Sequence, residues 1–226
     1  MSISIVPIGK CFAGEVSGVD LRRPLSAKTV AAIDSGMDEY AVLVFRGQDI
    51  NDEEQLEFSR ALGPIESSIG GNITRLDQRR LGTDIADVSN LDQNQNIYAR
   101  DDRRRLFNLG NRLWHSDSSF RAIPAKYSLL SARSIPADGP NTEYADMRAA
   151  YDALDDKIKA EVEGLICEHS LMYSRSQLGF TDFTEEEQQT FAPVRQVLVR
   201  THPVTMRKSL FLASHAGTIV GWPMAE

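Results

Sequence analysis

Two hydrophobic periods are written into this chain, one of about two residues and one near 3.6, and they mark out its elements. Ser2 to Val6 alternates polar and apolar residues and predicts a strand. Ala13 to Leu21 predicts a second, turn-rich one. Ser26 is a candidate cap for a helix whose apolar residues Val30, Ile33, Met37 and Tyr40 fall near helical spacing. Ala41 to Phe45 is a short β-rich run ending at Arg46-Gly47, and predicts a buried strand. Asn51 followed three residues later by Glu54 has the form of a capping box. The helix it opens carries Leu56, Phe58 and Leu62 and stops at Gly63-Pro64.

The periods fade between residues 65 and 110. That stretch is polar and rich in Gly, Asn, Asp, Gln and Arg, with a short apolar island at Ile85 to Val88. It fits either a solvated surface excursion or a lid over an active site. The arginine cluster Arg100 to Arg105, interleaved with Asp101 and Asp102, is partly self-neutralised and reads as a solvated face. Lys126 to Ile135 predicts another strand, broken by the turn signal Pro136-Ala-Asp-Gly-Pro140, and Thr142 to Tyr144 resumes it. Met147 to Leu154 and Ile158 to Leu165 predict helices joined at Asp155-Asp156. Thr184 with Glu187 is a second capping-box pattern, before a short helix ending near Phe191-Ala-Pro193. Val194 to Thr201 and Ser209 to Ser214 predict two strands around a turn at Pro203 to Lys208.

Strands therefore recur with helices grouped before and between them. There is no strict β-α alternation, no GxGxxG and no P-loop, which argues against a nucleotide-binding parallel sheet. The expected class is α+β, mainly β: a double-sheet jelly roll with flanking helices. The 226 residues suffice for one sizeable core or two small domains, and no linker or repeat interrupts them. Composition then narrows the partners. A hydrophobic content of 42% marks a globular chain, and a net charge of −7 argues against nucleic acid or an anionic membrane as partner. A small anion remains open, since one local arginine can bind it. Two distant cysteines, Cys11 and Cys167, fit a reducing cytoplasm rather than a disulfide framework. No signal-peptide pattern opens the chain and no apolar run is long enough to span a membrane.

The candidate chemistry lies in Asn111-Arg-Leu-Trp-His-Ser-Asp-Ser-Ser-Phe120. On an extended strand His115 and Asp117 share a face, with Asn111 on the same side and Trp114 and Ser116 directed toward packing. An imidazole beside a carboxylate suits a borderline-hard dication such as Fe(II). His-x-Asp alone is short enough to arise by chance, but the surrounding residues are more specific.

The whole ten-residue stretch resembles the metal-binding segment of the taurine dioxygenase family of Fe(II)- and 2-oxoglutarate-dependent oxygenases, and is most similar to its 2,4-dichlorophenoxyacetate dioxygenase branch. Val42-Leu-Val-Phe-Arg-Gly-Gln48, Leu62-Gly-Pro64, Asp138-Gly-Pro-Asn-Thr-Glu-Tyr144, Asp146 to Leu154, and Arg200-Thr-His202 with Arg207-Lys208 agree in the same order. The resemblance implies a jelly-roll oxygenase domain over residues 1–226, with residues 65–110 as its lid. It implies that His115 and Asp117 bind Fe(II), that Thr142 helps bind 2-oxoglutarate, and that Asn111 and His202 lie near the substrate. Dioxygen is the co-substrate and ascorbate an activator. In the branch it most resembles, an aryloxyalkanoate is hydroxylated beside its ether oxygen and falls apart to a phenol and glyoxylate, with succinate and CO2 as co-products. From the residues alone, Thr142 reads rather as an ordinary strand threonine.

The family's second metal histidine and its 2-oxoglutarate-binding arginine come later, in a C-terminal His-Arg-Gly-like motif. Neither appears before Gly221 to Glu226. The expectation is a chain lacking its C-terminal part, with weak iron binding and exposed strand edges. His169 and His215 read as structural. The competing functions are a taurine or alkylsulfonate dioxygenase, a zinc-assisted hydrolase built on His115 and Asp117, and a member that binds a ligand without turnover. A homo-oligomer is left open.

Overall fold

A computed structural model describes residues 3–139 and 141–223. Ser2 of the first expected strand, Pro140 of the expected turn and the end from Met224 to Glu226 lie outside the described residues. The chain begins with β1 (Ser4–Pro7), β2 (Gly14–Ser17), α1 (Ala27–Tyr40), β3 (Leu43–Phe45) and α2 (Asp52–Leu62). A 3-10 turn at Leu76–Gln78 follows, then α3 (Arg103–Asn108) and a second 3-10 turn at Leu109–Arg112. Next come α4 (Met147–Asp152), α5 (Asp156–Val162), β4 (Ile166–His169), α6 (Leu171–Ser176) and α7 (Glu185–Thr190). The last strands are β5 (Val194–Val197), β6 (Val199–Thr201), β7 (Lys208–Leu210) and β8 (Ala216–Ile219). The architecture is α+β. No helix among the described residues is long and apolar enough to cross a membrane.

The chain divides into two compact units. One comprises Met1–Ile65, Leu129–Leu154 and Thr201–Ser209; the other comprises Glu66–Ser128, Asp155–Arg200 and Leu210–Glu226. In the first, β2 pairs antiparallel with β1 and parallel with β3. Ser26 caps α1 by accepting from the Thr29 N–H, and Asn51 and Glu54 form the expected reciprocal capping box on α2. The core of this unit is Leu21, Ile33, Ile50 and Phe58, with Phe45 edge-on to Phe58 at 5.5 Å. Helix α1 lies close against β1 at Gly36, where a Cβ would come within 2.5 Å of Ile5. β3 is half-buried rather than fully buried.

In the second unit β4 is central, pairing antiparallel with β5 and with β8. Phe107, Leu171, Phe180 and Phe191 form its apolar core. The Thr184–Glu187 capping box opens α7 as expected.

Several expectations are corrected here. Residues 126–135 and 142–144 carry no strand among the described residues. An apolar stretch becomes a strand only with a paired neighbour, and alternation cannot supply one. Two strands had no clear signal. β4 points Cys167 and His169, not aliphatic residues, into the buried face. β8 carries Gly217 because a Cβ there would come within 2.8 Å of the Tyr173 ring. The arginine cluster is not simply a solvated face. Arg104 does pair with its neighbour Asp102, but Arg103 reaches Glu187 at 2.8 Å and lies over the Phe180 ring.

Candidate metal centre

His115 and Asp117 are not on a strand. Residues 114–116 are irregular and Asp117–Phe120 is a turn, entered with Ser118 in the left-handed region at φ 57°. The two side chains nevertheless meet, with Nε2 of His115 3.1 Å from Oδ1 of Asp117. Local backbone bonds make this possible. The Leu113 N–H donates to the Gly110 carbonyl at 3.1 Å, ending the 3-10 turn and leading the chain into Leu113. The Trp114 carbonyl accepts from the Ser214 N–H at 2.9 Å, which pins the residue before His115.

The imidazole is oriented from behind. Its Nδ1 lies 2.7 Å from the Leu113 carbonyl, which can only accept, so Nδ1 is protonated; in the charged ring Nε2–H donates to Asp117, and Nε2 is the nitrogen that would give up its proton to ligate a metal. The Asp117 hydrogen bond, with the Leu113 carbonyl behind it, raises His115 above the ordinary imidazole range against the opposing effect of burial. The same bond, with a further one from Ser128, holds Asp117 below the ordinary carboxylate range.

The donor set fits a first-row dication. Two ligands on adjacent octahedral vertices, each about 2.1 Å from a metal, are separated by about 3 Å. The His115–Asp117 span matches this, and the deprotonated Nε2 and ionised carboxylate are the forms that ligate. Among the described residues, no group of three His, Cys, Asp or Glu side chains is placed to hold a metal.

The other histidines are differently used. His215 lies beside His115, ring centroids 5.8 Å apart, a proximity nothing in the sequence announced. It is buried, its Nδ1 is 2.9 Å from the Ser174 hydroxyl, and burial pushes it down to about 3. His169 is buried and stacked on Phe211, with neither ring nitrogen hydrogen-bonded among the described residues.

Asn111 is exposed on the 3-10 turn, not on a strand shared with His115, and its Oδ1 accepts from Arg175 at 3.3 Å. Trp114, expected to pack, is 58% exposed. Thr142 and His202 belong to the other compact unit. Thr142 is exposed in an irregular segment. The His202 ring accepts from the Thr205 N–H at 3.2 Å and has its Nε2 3.5 Å from Asp38.

Sequence reasoning missed the supports of the turn. Glu66 accepts from the Ser118 hydroxyl at 2.8 Å and pairs with Arg121. Arg121 also donates to the carbonyls of Ser67 and Ile69. Arg175 lies 4.7 Å over the Phe107 ring and fills the space where a Gly110 Cβ would stand. No periodicity marks such contacts, which join residues more than fifty positions apart.

Comparison with known proteins places the chain in a family. The model of the "Taurine catabolism dioxygenase TauD, TfdA family" matches residues 4–226. An alpha-ketoglutarate-dependent 2,4-dichlorophenoxyacetate dioxygenase of Cupriavidus pinatubonensis is 42% identical over the whole of this chain and 78% of its own length. An (S)-phenoxypropionate/alpha-ketoglutarate-dioxygenase of Sphingobium herbicidovorans is 35% identical over the whole chain and 75% of its own. The crystal structure of AAD-2 in complex with Mn(II) and N-oxalylglycine is 57% identical and superposes with a TM-score of 0.96, covering 99% of this chain and 77% of that one. The chain belongs to the TauD/TfdA dioxygenase family.

Proposed function

We propose that this protein is an Fe(II)- and 2-oxoglutarate-dependent dioxygenase acting on an aryloxyalkanoate such as 2,4-dichlorophenoxyacetate, releasing a phenol and glyoxylate along with succinate and CO2. The observation that carries the reading is the His115–Asp117 pair, spaced for one metal in a chain 42% identical to a dioxygenase of that substrate. The fold proposed around it is a jelly roll with flanking helices, as part of one oxygenase domain. Iron, with 2-oxoglutarate and dioxygen, supplies the oxidising power that hydroxylates an unactivated carbon.

The protein's own residues prepare that chemistry. Leu113 fixes the His115 tautomer through its carbonyl, and Ser128 steadies the Asp117 carboxylate, so both ligands are oriented before a metal arrives. Arg175 occupies the Asn111 Oδ1 and leaves its amide nitrogen to donate to a substrate anion. Thr142 contributes a hydroxyl to the distal carboxylate of 2-oxoglutarate, and His202 lies near the substrate. Residues 65–110 act as the lid. Glu66 ties the first of them to the ligand-bearing turn, while Ile69, Leu76, Val88 and Ile97 hold apolar side chains outward.

A member that binds ligands without turnover is the second reading, favoured by the two-residue donor set among the described residues. Succinate release separates them. The protein is assayed with Fe(II), ascorbate and 2-oxoglutarate against phenoxyacetates and taurine, beside His115→Ala and Asp117→Ala. The expected result is phenoxyacetate-stimulated succinate, lost at least about 100-fold in either variant. Stimulation by taurine alone would move the substrate to the alkylsulfonates. Metal binding without succinate from any substrate would establish the non-catalytic reading.

A further inference from the structure

Asp117 stands on a turn with no regular structure, so something outside the turn must hold it. Glu66 and Arg121 brace it from one segment, and Gln196 on β5 is a further side chain placed to do so. It is 5% exposed and sits opposite Cys167 in the β4–β5 ladder. Its Nε2 donates to the Ser119 carbonyl at 3.1 Å and the Arg121 carbonyl at 2.6 Å. These carbonyls bracket the exit of the Asp117–Phe120 turn, and Ser119, which carries the first of them, is wholly buried.

The amide cannot turn round. Its Oε1 accepts from Arg200 Nη2 at 2.6 Å, and a guanidinium only donates while carbonyls only accept. Arg200 is itself fixed, its Cζ 3.5 Å from the Phe211 ring centroid, and Phe211 is stacked in turn on His169 at 5.1 Å. A row of planar groups thus ends on one amide, and that amide clamps two carbonyls of the ligand-bearing turn.

We propose that Gln196, held by Arg200, is a positioning residue of the metal centre: it fixes the Asp117–Phe120 turn and thereby the spacing of Asp117 from His115. This rests on the metal reading above for its consequence, but the clamp itself can be read without metal. Gln196→Glu is the sharp test. It keeps the shape and strengthens the bond to Arg200, but sets a carboxylate oxygen against two carbonyl oxygens. Gln196→Met removes the donor without adding charge. Arg195→Gln, on the same strand and exposed on its other face, is the control.

Hydrogen exchange of the metal-free protein is followed at residues 116–121 and across β4 and β5, and Mn(II) affinity is measured on the same samples. The expected result for Gln196→Glu and Gln196→Met is turn exchange at least about tenfold faster with β4–β5 protection unchanged. Mn(II) Kd rises about 10–100-fold. The Arg195 variant matches the parent in both. Unchanged turn exchange in folded variants overturns the proposal, as does a loosening shared equally by β4–β5. A loosened turn in a protein whose parent binds no Mn(II) supports the clamp and defeats the metal reading instead.

Discussion

Residues 3–65 and the 63 that follow hold their backbones in different ways. In the first stretch five regular elements satisfy much of the backbone, and polar side chains work mainly at the helix ends, with Gln48 bracing the loop at Val19 and Leu21. Ser26 and Asn51 cap two amphipathic helices over an aliphatic core. In residues 66–128 regular elements are few and short, and arginines take over the task. Arg79 donates to the Thr74 carbonyl and the Ser68 hydroxyl, Arg105 to the Arg100 carbonyl, and Arg121 to those of Ser67 and Ile69. A guanidinium offers five donors in a rigid plane, so one side chain can fix several turns of irregular chain. The difference teaches that irregular is not the same as loose. An arginine-braced turn can hold a residue such as Ser118 at φ 57°, which neither helix nor strand permits.

The strongest way to break this contrast is to show that residues 66–128 carry little of the stability. Phe107 is their deepest anchor, 1% exposed, stacked on Phe191 at 6.0 Å and edge-on to Phe180 at 5.7 Å. Phe107→Ala should cost about 4 kcal/mol in urea unfolding, the range for a large aromatic lost from a packed core. A cost below about 1 kcal/mol would mean the segment only rests on the surface.

Acid should sharpen the contrast, because residues 1–65 contain no histidine. His169, in the unit that holds residues 66–128, is pushed down to about 4 by burial and then by the nearby Arg200 guanidinium. The unfolded chain takes up that proton below the ordinary value of 6.5, and the folded one only near 4. Stability from this residue is therefore full above about pH 6.5 and is lost as the pH falls toward 4, by about 2 kcal/mol at pH 5 and about 3 kcal/mol at pH 4. His169→Phe, which preserves the stack on Phe211, should flatten this part of the urea-midpoint profile. An unchanged slope in that variant would assign the acid loss to other groups.

How much of this was legible beforehand follows the same divide. Both capping boxes, α1, α2 and the strand at Leu43–Phe45 could be read because caps and 3.6-residue spacing act within a few positions. His115 and Asp117 could be picked out by their chemistry and by resemblance, yet the reason given for their shared face was wrong. They meet across the entry to a turn, not along a strand. β4 was missed because its buried face is a cysteine and a histidine, which carry no hydrophobic alternation. Glu66, Arg175 and Gln196 were missed because their partners are set by tertiary contact alone. A buried glutamine in a strand looks like any polar alternate residue until the carbonyls it clamps are known.

The smallest effect lies in the regular region. Asn51 Oδ1 accepts from the Glu54 N–H at 3.0 Å, and Glu54 Oε2 accepts from the Asn51 N–H at 2.7 Å. Asn51→Ala leaves the Glu54 N–H at the start of α2 without its partner, but it is exposed and water replaces much of what is lost. The expected cost is about 1 kcal/mol, measured in urea. Asp52, Glu53 and Glu54 place negative charge in the first turn of parent and variant alike, where it favours the helix dipole, so added salt should lower both and leave the deficit unchanged. A loss as large as that of Phe107→Ala would mean that α2 depends on its cap rather than on Phe58 and Leu62. The two regions would then differ less than their hydrogen bonds suggest, since a single polar side chain would anchor each.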